Sequence, residues 1–171
     1  GAFLGPTVQS GGSPSRLVRT ATGYRVAAHI PSSGTNGTSG VQCRVIGIST
    51  SGELDPSFGT IEVPSPGLPG ASVDNCAALA VQPDDRLVVV GSRRVADDEQ
   101  AFATRLLPSG APDPGFSGAA VSSAMRRATA LAVDDRGAIA VAGHDKTGLS
   151  GALVVRLQAN GLLDSLFGDA G

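Results

Sequence analysis

Two arginines each stand eight residues before an aspartate, and these pairs are the clearest candidates for ionic chemistry in the sequence. Arg105 precedes Asp113, and Arg156 precedes Asp164. Guanidinium groups at matching positions could bind an anionic ligand, because arginine presents a rigid fork of donors to carboxylate or phosphate. The same pair could instead fix a turn, with the guanidinium holding the carboxylate through two hydrogen bonds. We favour the structural interpretation, since the pair recurs while binding sites usually break repetition.

Side chains that could hold a metal ion are few and scattered. His29 and His144 are the only histidines, and two histidines without a third ligand support a metal site weakly. The acidic run Asp97-Asp98-Glu99 could hold calcium, which prefers oxygen ligands, but it lacks the spacing of a calcium loop. We expect a solvated loop there. The sequence also lacks a nucleophile elbow and a phosphate-binding glycine loop, so we predict no catalytic residue, no metal and no cofactor.

The elements that position these residues come from one segment written three times. Its endings are nearly superimposable and read Ser51–Gly59, Ser109–Phe116 and Asn160–Gly168. Phe58 and Phe116 are 58 residues apart, and Phe116 and Phe167 are 51 apart. A period in this range is typical of solenoids and propellers. We therefore predict a single repeat domain over residues 1–171, with repeats at about 9–63, 64–121 and 122–171.

Composition indicates an all-β protein of many short strands. Hydrophobic residues make up 41% of the chain, with 24 Gly, 11 Pro and no Trp. Short β-prone runs between Gly and Pro clusters are what such a fold requires. Each repeat contains a predicted hairpin, a third strand and a short fourth run before the next repeat. The hairpins span 17–29, 77–91 and 129–143, the third strands 45–48, 102–106 and 153–157, and the fourth runs 61–63 and 119–121, with 6–8 as a fourth run belonging to a preceding unit.

Four short antiparallel strands per repeat are the composition of a propeller blade. The shared ending, with Arg105 and Arg156 before it, resembles the delta-60 repeat family, whose repeats run LxPDGxxxxxG…xRLxxDGxLDxSFG. The resemblance covers the chain from Leu17 onward and is weaker in the first repeat, where Gly47 replaces the arginine. Arg44 is the expected substitute as the partner of Asp55. The resemblance implies a β-propeller in a secreted or surface bacterial protein, without a general activity.

The aromatic residues of the shared ending, Phe58, Phe116 and Phe167, admit two interpretations. They could form an exposed platform for sugars. Alternatively each could fill the seam between adjacent blades, where truncation of a buried phenylalanine costs roughly 3–5 kcal/mol. We favour the seam, because the residue stands at a fixed place in every repeat.

The two cysteines gain meaning from the repeat alignment. Cys43 precedes the third strand of repeat one, and Cys76 precedes the first strand of repeat two. In an up-and-down blade these strands start at the same face, so a disulfide could join two loops of neighbouring blades. Such a bond indicates an oxidising compartment. Two free buried thiols are the alternative.

Three blades do not close a propeller, which typically has four to eight. We therefore expect either further blades in a longer chain or self-association through open sheet edges, with two copies forming a six-bladed ring as the simplest symmetric case. Variable segments gather at one face of the blades, where recognition usually resides. They are the loops Pro31–Gln42, Ser92–Gln100 and Asp145–Ser150 and the inter-blade segments Pro64–Asn75 and Ser122–Arg127.

The expected function follows from these features. A formal charge of −2 argues against nucleic acid, and no apolar run approaches the roughly 18–20 residues of a membrane span. We expect a secreted or cell-surface, non-catalytic structural and interaction module that contacts protein or glycan through its loop face or assembles through its open edges. A subunit of a homo-polymeric surface filament is the alternative. A glycan-active enzyme is less favoured, because few acids or bases converge.

Overall fold

The structure, a computed structural model, describes residues 13–33, 39–64, 73–95, 98–118, 121–147 and 151–168. Within these ranges every regular element is a β-strand, and the strands form three antiparallel sheets that follow one another along the chain. This confirms the all-β, propeller-like fold class. Blade one contains β1 (Ser13–Thr20), β2 (Gly23–Ser33), β3 (Ser39–Ser49) and β4 (Thr60–Glu62); blade two contains β5 (Val73–Val81), β6 (Leu87–Val95) and β7 (Asp98–Leu106); blade three contains β8 (Met125–Val133), β9 (Ile139–Asp145) and β10 (Ala152–Leu157).

The fourth strand is present in blade one, where β4 pairs with β3. In blade two, residues 119 and 120 lie outside the described part of the chain, but the backbone N–H of Val121 donates to the carbonyl of Ala101 in β7 at 3.2 Å. This bond continues the ladder where the fourth run was predicted. The predicted run at residues 6–8 also lies outside the described residues.

Antiparallel order within each blade sorts the connections into two faces of the molecule. The hairpin turns between the first and second strands lie at one end, together with the shared endings that follow the third strands. We call this end the turn face. The connections from second to third strand and from blade to blade lie at the opposite end, the loop face, where the variable segments were predicted to gather. The predicted loop bounds are wrong, because the strands extend into them, and residues 92–95 and 98–100 belong to β6 and β7.

Consecutive blades pack face to face, and apolar residues of both sheets meet in each seam. Seam one, between blades one and two, joins Val45 of β3 to Leu79 of β5 and Val89 of β6. Seam two, between blades two and three, joins Val88 and Val90 of β6 to Val141 of β9. Neighbouring blades therefore cover each other's sheet faces, and assembly through open sheet edges stays a prediction.

Each seam contains a phenylalanine seated against a glycine of the next blade. Phe58 belongs to the core of seam one, and a Cβ placed on Gly110 would lie 2.8 Å from Cγ1 of Ile61 and 3.3 Å from Cε2 of Phe58. In seam two, a Cβ on Gly161 would lie 2.8 Å from Cε2 and Cζ of Phe116. Both glycines have φ near +86°, a conformation that side chains disfavour. The shared ending thus supplies an aromatic side chain to the following blade and a glycine seat to the preceding one.

Gly161→Ala should destabilise the chain by about 1–3 kcal/mol, because the added methyl meets Phe116 as well as the positive-φ backbone. Gly59→Ala is the matched control, since Gly59 has φ of 72° and nothing within 4 Å of a Cβ. Urea unfolding of both variants separates seam packing from backbone strain. Equal losses of stability in the two variants would contradict the packing of Phe116 against Gly161.

Cys43 and Cys76 form a disulfide, as predicted, and it connects neighbouring blades. Cys43 lies in β3, Cys76 lies in β5, and both are fully buried in the core of seam one. The placement in loops is wrong, because both strands extend farther toward the loop face than predicted. The imidazole Nε2 of His29 accepts a hydrogen bond from the backbone N–H of Cys76 at 3.0 Å, so this side chain also bridges seam one.

Replacing both cysteines by serine should lower the free energy of unfolding by about 3–4 kcal/mol, because the bond closes a 33-residue span. Thermal unfolding with and without reductant measures the loss. Reductant should bring the parent chain to the stability of the double variant and leave that variant unchanged. A parent chain insensitive to reductant after complete thiol labelling would contradict this prediction.

Candidate functional site

The arginine of blade two closes the turn that follows its own strand. Arg105 lies in β7, and its Nε donates to Oδ2 of Asp113 at 2.8 Å. The other carboxylate oxygen accepts the backbone N–H of Gly115 at 2.8 Å. The Arg105 guanidinium lies over the phenyl group of Phe116, 4.9 Å from its centroid, a cation–π geometry. We call this arrangement of arginine, aspartate and phenylalanine the turn unit.

Blade three repeats the turn unit in a looser form. The Nε atom of Arg156 lies 3.6 Å from Oδ2 of Asp164, and the guanidinium lies 5.9 Å from the centroid of Phe167. Its Nη2 also reaches Oδ2 of Asp134 at 3.3 Å. The side chain of Arg156 is 38% exposed, against 7% for Arg105. Among the described residues no further sheet covers Arg156, and the wider spacing follows from that exposure.

Blade one builds the turn unit with an arginine from a different strand. Arg25 of β2 places Nη2 3.2 Å from Oδ2 of Asp55, and its guanidinium lies 4.2 Å from the centroid of Phe58. Arg25 stands directly opposite Gly47 of β3. Opposite residues of antiparallel strands project to the same face. The arginine has therefore changed strand while its guanidinium occupies the same place in the blade.

The expectation that Arg44 substitutes for the missing arginine is wrong. Arg44 lies on the other face of β3, and its Nη2 donates to Gln42 at 3.3 Å. Packing favours glycine at position 47, because a Cβ there would come 2.7 Å from Cβ of Phe58. The hairpin register gave a sequence signal for Arg25, because it places Arg25 opposite Gly47, the position at which the other two repeats have arginine.

The turn carboxylates of blades one and two are held in the ionised form. The hydroxyl of Ser57 and the nearby guanidinium of Arg25 lower the pKa of Asp55 below its ordinary value of 3.8. Burial, the strongest influence on Asp113, raises its pKa, but the N–H of Gly115 and the guanidinium of Arg105 outweigh it and lower the pKa overall. Both aspartates are therefore charged at neutral pH, the form that pairs with arginine.

Arg105 also reaches across seam two. Its Nη1 donates to Oε1 of Gln82 at 3.0 Å and to the carbonyl of Ala159 in blade three at 2.6 Å. Gln82 in turn donates from Nε2 to the carbonyls of Gly137 and Ala159 at 2.7 and 3.1 Å. Sequence reasoning missed Gln82. The only signal was a polar residue at the start of a hairpin turn, which ordinarily indicates a solvated position.

A cleft of about 400 Å³ opens on the turn face beside this network. Its lining includes Arg86, Arg105 and Arg136, the arginines that an anionic ligand would meet. Arg86 is engaged with carboxylates, at 2.6 Å from Asp84 and 3.2 Å from Asp113. Arg105 also donates to acceptors of the protein itself. The geometry therefore suits a contact that stabilises the fold better than a site that binds an anion.

The acidic run at the loop face meets cations of the next blade. Nζ of Lys146 lies 2.7 Å from Oδ2 of Asp98. Glu99 accepts hydrogen bonds from Arg126 at 3.1 Å and from Arg127 at 2.9 Å through each of its two oxygens. Burial raises the pKa of Glu99, but these guanidinium groups lower it overall. Asp97 lies outside the described residues, and the expected solvated loop is wrong for Asp98 and Glu99, which lie in β7 and form ion pairs. The carboxylates described thus link blade two to blade three.

The two histidines occupy equivalent positions, because β2 and β9 pair with their third strands in the same register. Ala28, the residue before His29, is the equivalent of Gly91 in β6 and Gly143 in β9. His144 is exposed in β9. In the part of the chain that the structure describes, no three His, Cys, Asp or Glu side chains are grouped to hold a metal ion. The same residues include no helix long and apolar enough to cross a membrane.

Arg105→Met should destabilise the chain by about 3–5 kcal/mol, because it removes the donor of a buried carboxylate, of the side-chain oxygen of Gln82 and of the backbone carbonyl of Ala159. Arg156→Met, at the exposed equivalent, should cost about 0–1 kcal/mol. Chemical denaturation of the two variants compares equivalent positions in blades two and three of the same protein. Similar losses of stability in the two variants, or no loss in Arg105→Met, would show that the turn unit does not stabilise blade two.

A family model described as "domain of unknown function (DUF5122) beta-propeller" matches residues 82–116. The match runs from Gln82 to Phe116 and includes the complete turn unit of blade two. No curated protein and no solved structure matches the chain. Together with the three antiparallel sheets, this match supports a propeller-type repeat family.

Proposed function

We propose that this chain is a secreted or cell-surface, non-catalytic interaction module of the delta-60 repeat kind. One observation carries the proposal: the turn unit recurs in all three blades, and its polar atoms bind the protein itself. The charged and aromatic residues that recur in the blades therefore stabilise the fold. Partner recognition is left to the segments that differ between blades, and these lie at the loop face.

The disulfide supports the compartment in this proposal. A buried bond between two blades persists in oxidising surroundings and is rare in the cytosol. It also stabilises the seam that positions the loops of blades one and two. An extracellular module benefits from such a bond because no chaperone repairs it there.

The charges of the loop face favour a polyanionic glycan as the partner. A pocket of about 260 Å³ between blades two and three is lined by Arg94, Arg126 and Lys146 together with Asp98 and Glu99. The three cations of Arg126, Arg127 and Lys146 share the two carboxylates of Asp98 and Glu99 here, so this cluster has a net positive charge. Charge in a cleft attracts a polymer of the opposite sign. Neutral glycans and proteins are the other partners to test.

Titration calorimetry with heparin, hyaluronan and dextran tests the loop face. Heparin should bind most tightly, and Arg126→Glu with Lys146→Glu should weaken it by about tenfold or more, because two attractive charges are reversed. Arg19→Glu with Arg136→Glu, two exposed arginines near the turn face, is the control and should leave binding unchanged. Equal weakening by both pairs would contradict recognition at the loop face.

The same mixtures test the non-catalytic part of the proposal. No new reducing ends should appear when the polysaccharides are incubated with the chain. Their appearance at a rate proportional to protein would establish a glycan-active enzyme instead.

A second candidate function is a subunit of a homo-polymeric assembly. The specific observation in its favour is the face of blade three that points away from blade two. The equivalent faces of blades one and two are covered by the next blade, whereas Val154 on this face is 51% exposed.

A further inference from the structure

Beyond the third strand, a buried valine continues the sheet of blade one and that of blade two. In blade one the N–H of Val63, directly after β4, donates to the carbonyl of Cys43 at 3.0 Å. In blade two the N–H of Val121 donates to the carbonyl of Ala101 at 3.2 Å. Val63 is 3% exposed and Val121 2%, and they belong to the cores of seams one and two. The valine thus holds the outermost segment of both sheets in place.

The equivalent edge of blade three has no such partner among the described residues. Three backbone carbonyls occupy one register position of the third strands: those of Cys43, Ala101 and Ala152. The carbonyl of Arg156 accepts the N–H of Asp164 at 2.9 Å, so the backbone groups of Arg156 face the outer edge of β10. Because the direction of these groups alternates along a strand, those of Val154 and Ala152 face this edge too. Within the described ranges, β9 is the only strand that pairs with β10.

The outer edge of β10 is suited to accept a further strand. An unpaired edge presents a row of backbone donors and acceptors to any extended segment, and proteins commonly protect such an edge with proline or lysine. β10 has the sequence ALVVRL, which contains neither. Its β-branched residues favour the extended conformation that pairing requires.

The sequence contains a third copy of the segment that supplies the buried valine. In each copy the valine follows a phenylalanine by five residues, and the pairs are Phe58 and Val63, Phe116 and Val121, and Phe3 and Val8. Glycine stands two residues after the phenylalanine at Gly118 and again at Gly5. A Cβ on Gly118 would meet the ring of Phe116, so this glycine belongs to the packing of the segment. Residues 3–8 lie outside the described part of the chain, and their sequence is that of a fourth strand with its phenylalanine.

Residues 3–8 cannot reach β10 of their own chain across the stack of blades. Val8 stands five residues before Ser13, where β1 begins, and five residues span at most about 18 Å. Blade three is two seams away from blade one, and sheets that pack face to face lie about 10 Å apart, so the separation is about 20 Å. β1 also lies at the opposite edge of its sheet from the fourth strand, which adds to the distance. A second molecule must therefore supply the segment.

We propose that residues 3–8 of one copy pair with β10 of a second copy and form the fourth strand of its third blade. This deepens the second candidate function, on which it rests. Each chain has one segment to donate and one edge to accept, so the contact is head-to-tail. It closes into a ring or grows into an open chain of copies, according to its rotation.

The donated strand takes the register of the fourth strands inside the chain. The N–H of Val8 donates to the carbonyl of Ala152, as Val63 and Val121 donate in the first two blades. Pro6 supplies no N–H to the ladder, so the pairing depends on the other backbone groups and on burial of the valine. Backbone bonds provide affinity in such strand addition, and side-chain pockets provide specificity.

Light scattering on the 171-residue chain over a concentration series tests the proposal. The expected mass is two chains of 17.0 kDa each for a closed ring, or a mass that grows with concentration for an open assembly. A parent chain that stays monomeric at every concentration would overturn strand donation between copies.

The donor segment offers a matched pair of variants. Val8→Glu should weaken association by about tenfold or more, because a carboxylate takes the place of a buried valine. Thr7→Glu is the control and should leave association unchanged, since blade one has the exposed Glu62 at the equivalent place. Equal association of the two variants would contradict the assigned register.

The accepting edge is tested at Val154, whose N–H faces away from β9. Val154→Pro removes this donor and should give a monomer, whereas Val154→Thr keeps the donor and a β-branched side chain and should still assemble. Circular dichroism confirms that each variant is folded. Should Val154→Pro fail to fold, the donor variants and the peptide below still decide the outcome.

Mixing the two disabled variants distinguishes head-to-tail donation from a symmetric contact. The Val8→Glu chain retains an intact edge and the Val154→Pro chain an intact donor, so the mixture should form a one-to-one dimer. A synthetic peptide of residues 1–10 should disperse the parent assembly into single chains with one peptide each, and the same peptide with Val8→Glu should not. Absence of rescue in the mixture, or an assembly insensitive to the peptide, would overturn the proposal.

The outcomes also separate this inference from the functions it accompanies. An assembly that neither Val8→Glu nor Val154→Pro weakens overturns strand donation and leaves the second candidate function standing. A monomeric parent chain that binds heparin overturns self-association and leaves recognition at the loop face standing.

Discussion

The structure depends on one contact, the packing of the phenylalanine of the first two shared endings against a turn glycine of the next blade. A single sheet has no core of its own, so its apolar faces are shielded from water only by the neighbouring blades. The phenylalanine sets where that neighbour sits. The guanidinium beneath it holds the phenyl group and the turn together, and in blade two it also bonds to the neighbour's backbone. Turn geometry and blade packing are consequently coupled.

The relocation of arginine in blade one shows what the repeat preserves. Arg25 and Arg105 lie on different strands and at different points of the repeat sequence, yet their guanidinium groups occupy the same place beside an aspartate and a phenyl group. The requirement is for a cation at a point in space. Antiparallel pairing offers two residues that can supply it, and a glycine on the unused strand admits the phenyl group.

Much of this fold was predictable because its signals are local and repeated. Short β-prone runs, turn residues at regular intervals and a shared ending predicted the strands and the face on which the variable loops lie. Arg25 and Gln82 were not predictable in the same way, since their roles depend on partners 30 and 77 residues away. The exact place of the cysteines also escaped prediction. Strand ends are set by pairing partners, and β3 and β5 continue past the point where the apolar pattern fades.

The two seams are held together by different interactions, so the blades should separate in a fixed order. Blades one and two are joined by a covalent bond and by the imidazole of His29, whereas blade three is held by packing, ion pairs and a glutamine network. On heating or under a pulling force we therefore expect the third sheet to separate before the first two, which the disulfide keeps together as a pair.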